Sequence, residues 1–227
     1  MPESQARSSI LERLRSARND DAPLPSPDTS VLARRRWTPA ERVERLRKGM
    51  EAVHTEFLDA TLESWPDVVQ AFCTREGLKN LLYAPGTPAG SRLALSWTAG
   101  ETRLQPYDRP VEAFKAELFQ DIEAGFTPTV GGIAETGGLL LETGPLEPRL
   151  LSLVPPIHLA LLHASTIQDT LWSAVQVLGW GHTLPRNALL ISGPSKTADI
   201  EQTLAYGVHG PKRLIVILVN DLPGTPA

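Results

Sequence analysis

What most limits the fold of this chain is a set of short, unbroken apolar runs separated by segments of helical period. The clearest run is RLIVILV, Arg213–Val219; NALLIS, Asn187–Ser192, and IHLALL, Ile157–Leu162, are others. A strand with one wet face alternates apolar and polar residues, whereas a run that is apolar throughout is covered on both sides. Between the runs lie amphipathic stretches. WTPAERVERLRKGMEAV offers Thr38 as an N-cap, Pro39 as a first helical residue, and Val43, Leu46 and Met50 at i, i+3 and i+7. VHTEFLDA alternates and reads as a strand, and LKNLLYAP reads as a short buried one. Ser64 opens WPDVVQAFCTREG, with Trp65, Val68, Val69 and Phe72 on one face and Gly77 as its stop. Phe114, Leu118 and Ile122 share a side of PVEAFKAELFQDI, and Ile167, Leu171, Val175 and Leu178 share one of STIQDTLWSAVQVLGWG, a helix expected to begin at its Ser/Thr cap. Such alternation with short links predicts an α/β fold, a largely parallel sheet sandwiched by helices, with NALLIS near its centre.

Composition narrows the class. The chain has 227 residues with 22 Lys and Arg against 26 Asp and Glu. The net charge of -4 and the aromatic content of 6% carry no nucleic-acid footprint. No apolar run reaches the roughly 18 residues of a membrane span. MPESQARSSILERLRSARND lacks an apolar signal core, which points to a cytoplasmic protein. The single cysteine, Cys73, provides no internal disulfide, nor the thiolates for an iron–sulfur cluster, which takes about four. Two units are expected. Residues 1–36 read as an N-terminal arm and linker: Ile10, Leu11 and Leu14 fall at helical spacing, and DDAPLPSPDTS is irregular. Residues 37–227 form the α/β domain.

Two places carry candidate chemistry. The first is ISGPSKTADIEQTLAYGVHGP. Its Gly193-Pro194 turn is expected at the carboxyl end of a strand, where open α/β sheets bind ligands. Ser195 or Thr197 would cap a following helix with Asp199 and Glu201 in its first turn, Ile200 and Leu204 facing the core, and Gly207 as terminator. Gly193, Ser195, Lys196 and Thr197 together offer backbone N–H groups, hydroxyls and one cation to a small anion, although ordinary capping uses the same residues. His209 could be a general base, a ligand contact, or a structural histidine bonding a turn carbonyl. A helix between the two turns would hold His209 and Ser195 apart. The second place is VGGIAETGGLLL. Glu135 lies there among apolar residues and glycines, where partial desolvation would raise its pKa toward catalytic use; Thr136 and Gly137 complete a possible ligand contact. An acid bonding the N–H groups of a hairpin turn is the alternative.

Other signatures are missing. The spacing of a phosphate-binding P-loop, a dinucleotide fingerprint, a serine-nucleophile elbow and a His-Glu-x-x-His zinc motif are all unmet. His54, His158, His163, His182 and His209 are scattered, and His158 and His163 fall on opposite faces of one strand, so no metal site is expected.

Three elements of the first stretch, Gly193 to Ser195, Ala198 to Glu201 and Gly207 to Pro211, together resemble the C-terminal signature of the lactate-utilisation protein C family, also called LUD-domain proteins. IAETGG, Ile133 to Gly138, is similar to a second family element, with Gly138 in place of a threonine. The resemblance spans about residues 38–220. It implies a fold like that of the NagB, ribose-phosphate isomerase and CoA-transferase group. It also implies a role in bacterial oxidation of L-lactate to pyruvate, beside two partner proteins that carry iron–sulfur clusters, with no cofactor in this chain. Three functions remain open at this point. The chain could be a non-cluster subunit or accessory factor with a small-anion site. It could be an independent acyl- or CoA-transferase-like or isomerase-like enzyme using Glu135. It could also be a structural assembly protein for the iron–sulfur partners.

Overall fold

The computed structural model describes residues 2–17, 28–198 and 204–223. The chain divides into two units, Met1–Val31 and Leu32–Ala227. In the first, helix α1 (Pro2–Ala17) carries Ile10, Leu11 and Leu14 as exposed side chains. Most of the Pro-rich linker lies outside the described residues.

In the second unit the elements follow in chain order: α2 (Pro39–Glu51), β1 (Glu56–Ala60), α3 (Trp65–Arg75), β2 (Asn80–Tyr83), α4 (Pro88–Ser96), β3 (Arg103–Pro106), α5 (Lys115–Gln120), β4 (Ala124–Pro128), β5 (Gly131–Ile133) and β6 (Gly138–Glu142). Then come α6 (Leu150–Leu153), β7 (Ile157–His163), β8 (Ile167–Gln168), α7 (Leu171–Val177), β9 (Ala188–Ile191), β10 (Lys196–Ala198), β11 (Leu204–Tyr206) and β12 (Arg213–Val219). Six strands make one wholly parallel sheet in the order β1-β12-β7-β4-β2-β3. The largely apolar runs β7 and β12 are adjacent interior strands, as two-sided burial requires. One face, with Leu159, Leu161, Ile215 and Ile217, packs on Trp65, Val69 and Phe72 of α3 and Leu93 of α4. The other, with Ala160, Leu162, Leu214 and Val216, packs on Leu46 and Met50 of α2 and on Leu139 and Leu141 of β6. Near β2 and β4, Leu118 of α5 and Leu151 of α6 join Leu82 in a separate cluster.

A second, four-stranded sheet, β8-β5-β6-β9, carries most of the departures from expectation. NALLIS is not a central parallel strand. Its core, β9, is an edge strand antiparallel to β6, with Leu139 opposite Ile191 and half-buried residues alternating with exposed ones. The helix expected from the Ser165-Thr166 cap starts later, at Thr170, whose hydroxyl accepts from Ser173 N–H at the head of α7; Ile167 and Gln168 are β8. Thr38 caps α2 as expected, in a reciprocal box with Glu41, but Ser64 makes no side-chain cap on α3 and bonds Thr61 instead.

Candidate ligand-binding cleft

The stretch after Gly193 departs most from its sequence reading. No helix joins the two turns within the described residues. Lys196–Ala198 and Leu204–Tyr206 pair as an antiparallel hairpin, with Lys196 opposite Tyr206. Asp199, Ile200 and Glu201 lie outside the described residues. The physical reason is the pairing of the two ends of the segment, and the chain leaves the hairpin through Gly207 at a φ of 74°. Gly207, expected as a helix terminator, here follows the second strand of a hairpin.

The hairpin changes the site. A helix would have separated its two turns, whereas a hairpin returns them to each other. Ser195 N–H donates to the Pro211 carbonyl at 2.8 Å, and Gly207 N–H donates to the Ser195 carbonyl at 2.8 Å. A Cβ on Gly210 would lie only 3.1 Å from that of Ser195. Both turns therefore line one cleft of about 280 Å³. Its mouth carries Gly193 and half-buried Ser195 from the first turn, and exposed His209 and Gly210 from the second. Leu190 and Ile191 of β9 form one wall and Leu214 of β12 another. Ser152 of α6 and His158 of β7 also line it, both almost wholly buried. The cleft opens beside the first residues of β7 and β12, and so at the amino end of these parallel strands. The sequence had placed it at the carboxyl end.

Ser152 and His158 were not singled out as site residues. His158 Nε2 shares a hydrogen bond with Thr127 Oγ1 at 2.8 Å, while its Nδ1 has no partner and neither does Ser152 Oγ. Burial pushes the His158 imidazole down to about 4, because the charged ring would lose its hydration, so it is neutral at physiological pH. No sequence pattern marks such atoms; they follow from how α6, β7 and β4 pack.

The remaining candidates lie elsewhere. Lys196 is exposed and Thr197 half-buried on β10, and neither lines the cleft. Glu135 occupies the β5–β6 hairpin turn, but the desolvated setting expected for it is not found. It is exposed and accepts a hydrogen bond from the Arg35 guanidinium. Thr136 beside it is exposed. Gly137 is buried with a φ of 66°, and a Cβ there would come within 3.0 Å of Gly49 and of Met50 N; its glycine is needed for the turn to rest on α2. Among the described residues no group of three or more His, Cys, Asp or Glu side chains could hold a metal ion. Cys73 is buried, which pushes its thiol up to about 12. No helix of the described residues is long and apolar enough to cross a membrane.

Comparison with known proteins agrees with this architecture. A crystal structure of a DUF162 family protein from Deinococcus radiodurans superimposes with a TM-score of 0.60 at 21% identity, over 82% of this chain and 100% of that one. An uncharacterized protein of Neisseria meningitidis serogroup B, NMB1437, is 38% identical over 227 residues, covering 94% of this chain and 93% of its own length. Lactate utilization protein C 1 of Bacillus mycoides is 28% identical over 187 residues, 80% of each chain. Residues 43–219 match the LUD domain, and the chain belongs to that family.

Proposed function

We propose that this chain serves lactate utilisation as a component without an iron–sulfur cluster, and that it holds a small carboxylate in the cleft between the Gly193–Ser195 and His209–Gly210 turns. Relatives named lactate utilization protein C support the process. The observation that carries the site is the hairpin clip, which puts a hydroxyl and an imidazole from two turns onto one cleft. At about 280 Å³ the cleft is at the small end of ligand pockets, which suits a three- or four-carbon acid better than a whole acyl-CoA. Cys73, buried and with its thiol raised to about 12, is a poor thiolate ligand, which agrees with clusters carried by partner proteins.

Calorimetric titration with pyruvate and with L-lactate tests the site. Saturable binding is expected, weakened about tenfold or more in Ser195→Ala and His209→Ala, in line with the loss of a hydrogen bond to a charged group. Absence of binding by both acids, or binding indifferent to both substitutions, would contradict it. The assembly is tested by pull-down of the full chain from its native cell. Co-purification of two iron–sulfur proteins is expected, and their absence would remove that part of the proposal.

A further inference from the structure

We infer that His158 and Ser152 form the floor of the cleft as two neutral hydrogen-bond donors for the C2 oxygen of a small 2-oxo or 2-hydroxy acid, whose carboxylate faces the mouth at Ser195 and His209. This deepens the small-carboxylate reading and rests on it. Four buried side-chain polar atoms among the described residues lack a partner: Thr55 Oγ1, Glu147 Oε1, Ser152 Oγ and His158 Nδ1. The residues of two of them line this one cleft, and each of those residues is 1% exposed. A buried donor without an acceptor is costly, so the pair marks a place where a ligand oxygen supplies what the protein does not.

The Thr127 contact assigns the direction of the imidazole. Thr127 is wholly buried, and His158 Nε2 is the partner its hydroxyl has. The hydroxyl proton is used only if it is given to Nε2. The neutral ring then carries its proton on Nδ1, the unpartnered atom, which becomes a donor. Ser152 Oγ, a hydroxyl, can donate beside it and can also accept from an alcohol. Among the described residues, no Lys or Arg lines the cleft. A carboxylate at the floor would therefore be buried without a countercharge, whereas an uncharged carbonyl or alcohol oxygen meets matched neutral partners. The carboxylate belongs at the mouth, where His209 is exposed to water. Leu190 and Leu214 offer apolar contact to the alkyl end.

The test compares pyruvate with propionate, which keeps the carboxylate and loses the C2 oxygen. A site built to bond that oxygen should prefer pyruvate by about tenfold or more in the full-length chain. Ser152→Ala should cut the preference to about threefold or less, leaving propionate affinity unchanged and the Tm unchanged or raised, because an unsatisfied buried hydroxyl has been removed. His158→Leu should do the same to the preference, whereas His158→Asn, which keeps an N–H near the Nδ1 position, should restore part of it. Should the His158 variants fail to fold, Ser152→Ala alone decides. Equal binding of the two acids by the wild type, or a preference unchanged in Ser152→Ala, would overturn the floor assignment. If Ser195→Ala still weakens both acids in that case, the carboxylate reading stands without the floor; if neither acid binds the wild type, both fall.

Discussion

Strand β7 presents a histidine near each end, and the two ends of the sheet treat their polar groups differently. At the carboxyl end, Asp221 accepts from Ser165 N–H at 2.8 Å and from Ser165 Oγ at 2.6 Å, with His163 Nδ1 at 3.4 Å. A cleft of about 240 Å³ opens there too, but its charged side chains, Arg47 and Asp59, are paired with each other. At the amino end the cleft is of similar size, and His158 Nδ1 and Ser152 Oγ have no hydrogen-bond partner. Ligands of open α/β sheets ordinarily bind beyond the carboxyl ends of the strands. In this chain cleft size does not separate the two ends, whereas unmet hydrogen-bonding capacity does, and it favours the amino end.

The largest effect expected of this difference is on acid stability. His158 falls from 6.5 to about 4 on folding, which corresponds to about 3 kcal/mol. Because its folded value is depressed, that contribution is complete above pH 6.5 and is lost as pH falls through 4. Glu147 works in the opposite sense. Burial raises its carboxyl to about 8, so its contribution is complete below pH 4.5 and is lost as pH rises through 8. The two offset each other between pH 4.5 and 6.5. Glu147→Gln should therefore raise stability at pH 8 and expose the loss between pH 6.5 and 4 in urea unfolding. A flat profile in that variant would mean that His158 is not held neutral by burial.

A smaller effect is expected at the carboxyl end. Asp221→Ala strips the acceptor from Ser165 and His163 and should lower stability by about 1–2 kcal/mol in urea unfolding, without changing pyruvate affinity. A change in affinity there would erase the distinction between the ends. The smallest effect belongs to Glu135. Its pair with a largely exposed Arg35 is worth about 0–1 kcal/mol, and Glu135→Gln should leave both Tm and pyruvate binding near wild type. Loss of binding in that variant would instead bring the β5–β6 turn into the site.

The parallel sheet was legible because two-sided burial leaves a mark in the residues themselves. RLIVILV and IHLALL show it at all positions but Arg213 and His158, and the Thr38-Pro39 start shows where α2 begins. NALLIS misled because an apolar run of that length is also compatible with an edge strand whose inner side faces another sheet; Leu189 and Ile191 of β9 pack in the cluster that holds Leu214 and Val216 of β12, and Leu190 borders the cleft. ADIEQTLAY misled because its apolar spacing fits a helix, while the pairing of Lys196–Ala198 with Leu204–Tyr206 is a contact between the ends of the segment. Gly193, Ser195 and His209 could be named from the sequence, but their meeting could not, since it depends on that hairpin. Ser152 and His158 were hidden for another reason: an unpartnered atom is defined by what fails to surround it, and periodicity is silent on that.

The most direct test maps pyruvate onto the isotope-labelled full-length chain by NMR. Binding at the amino end predicts shift changes at Gly193, Ser195, Gly210 and the His158 ring, with His163, Ala164 and Asn220 unmoved. Changes confined to His163, Ala164 and Asn220 would place the ligand at the carboxyl end and contradict the account.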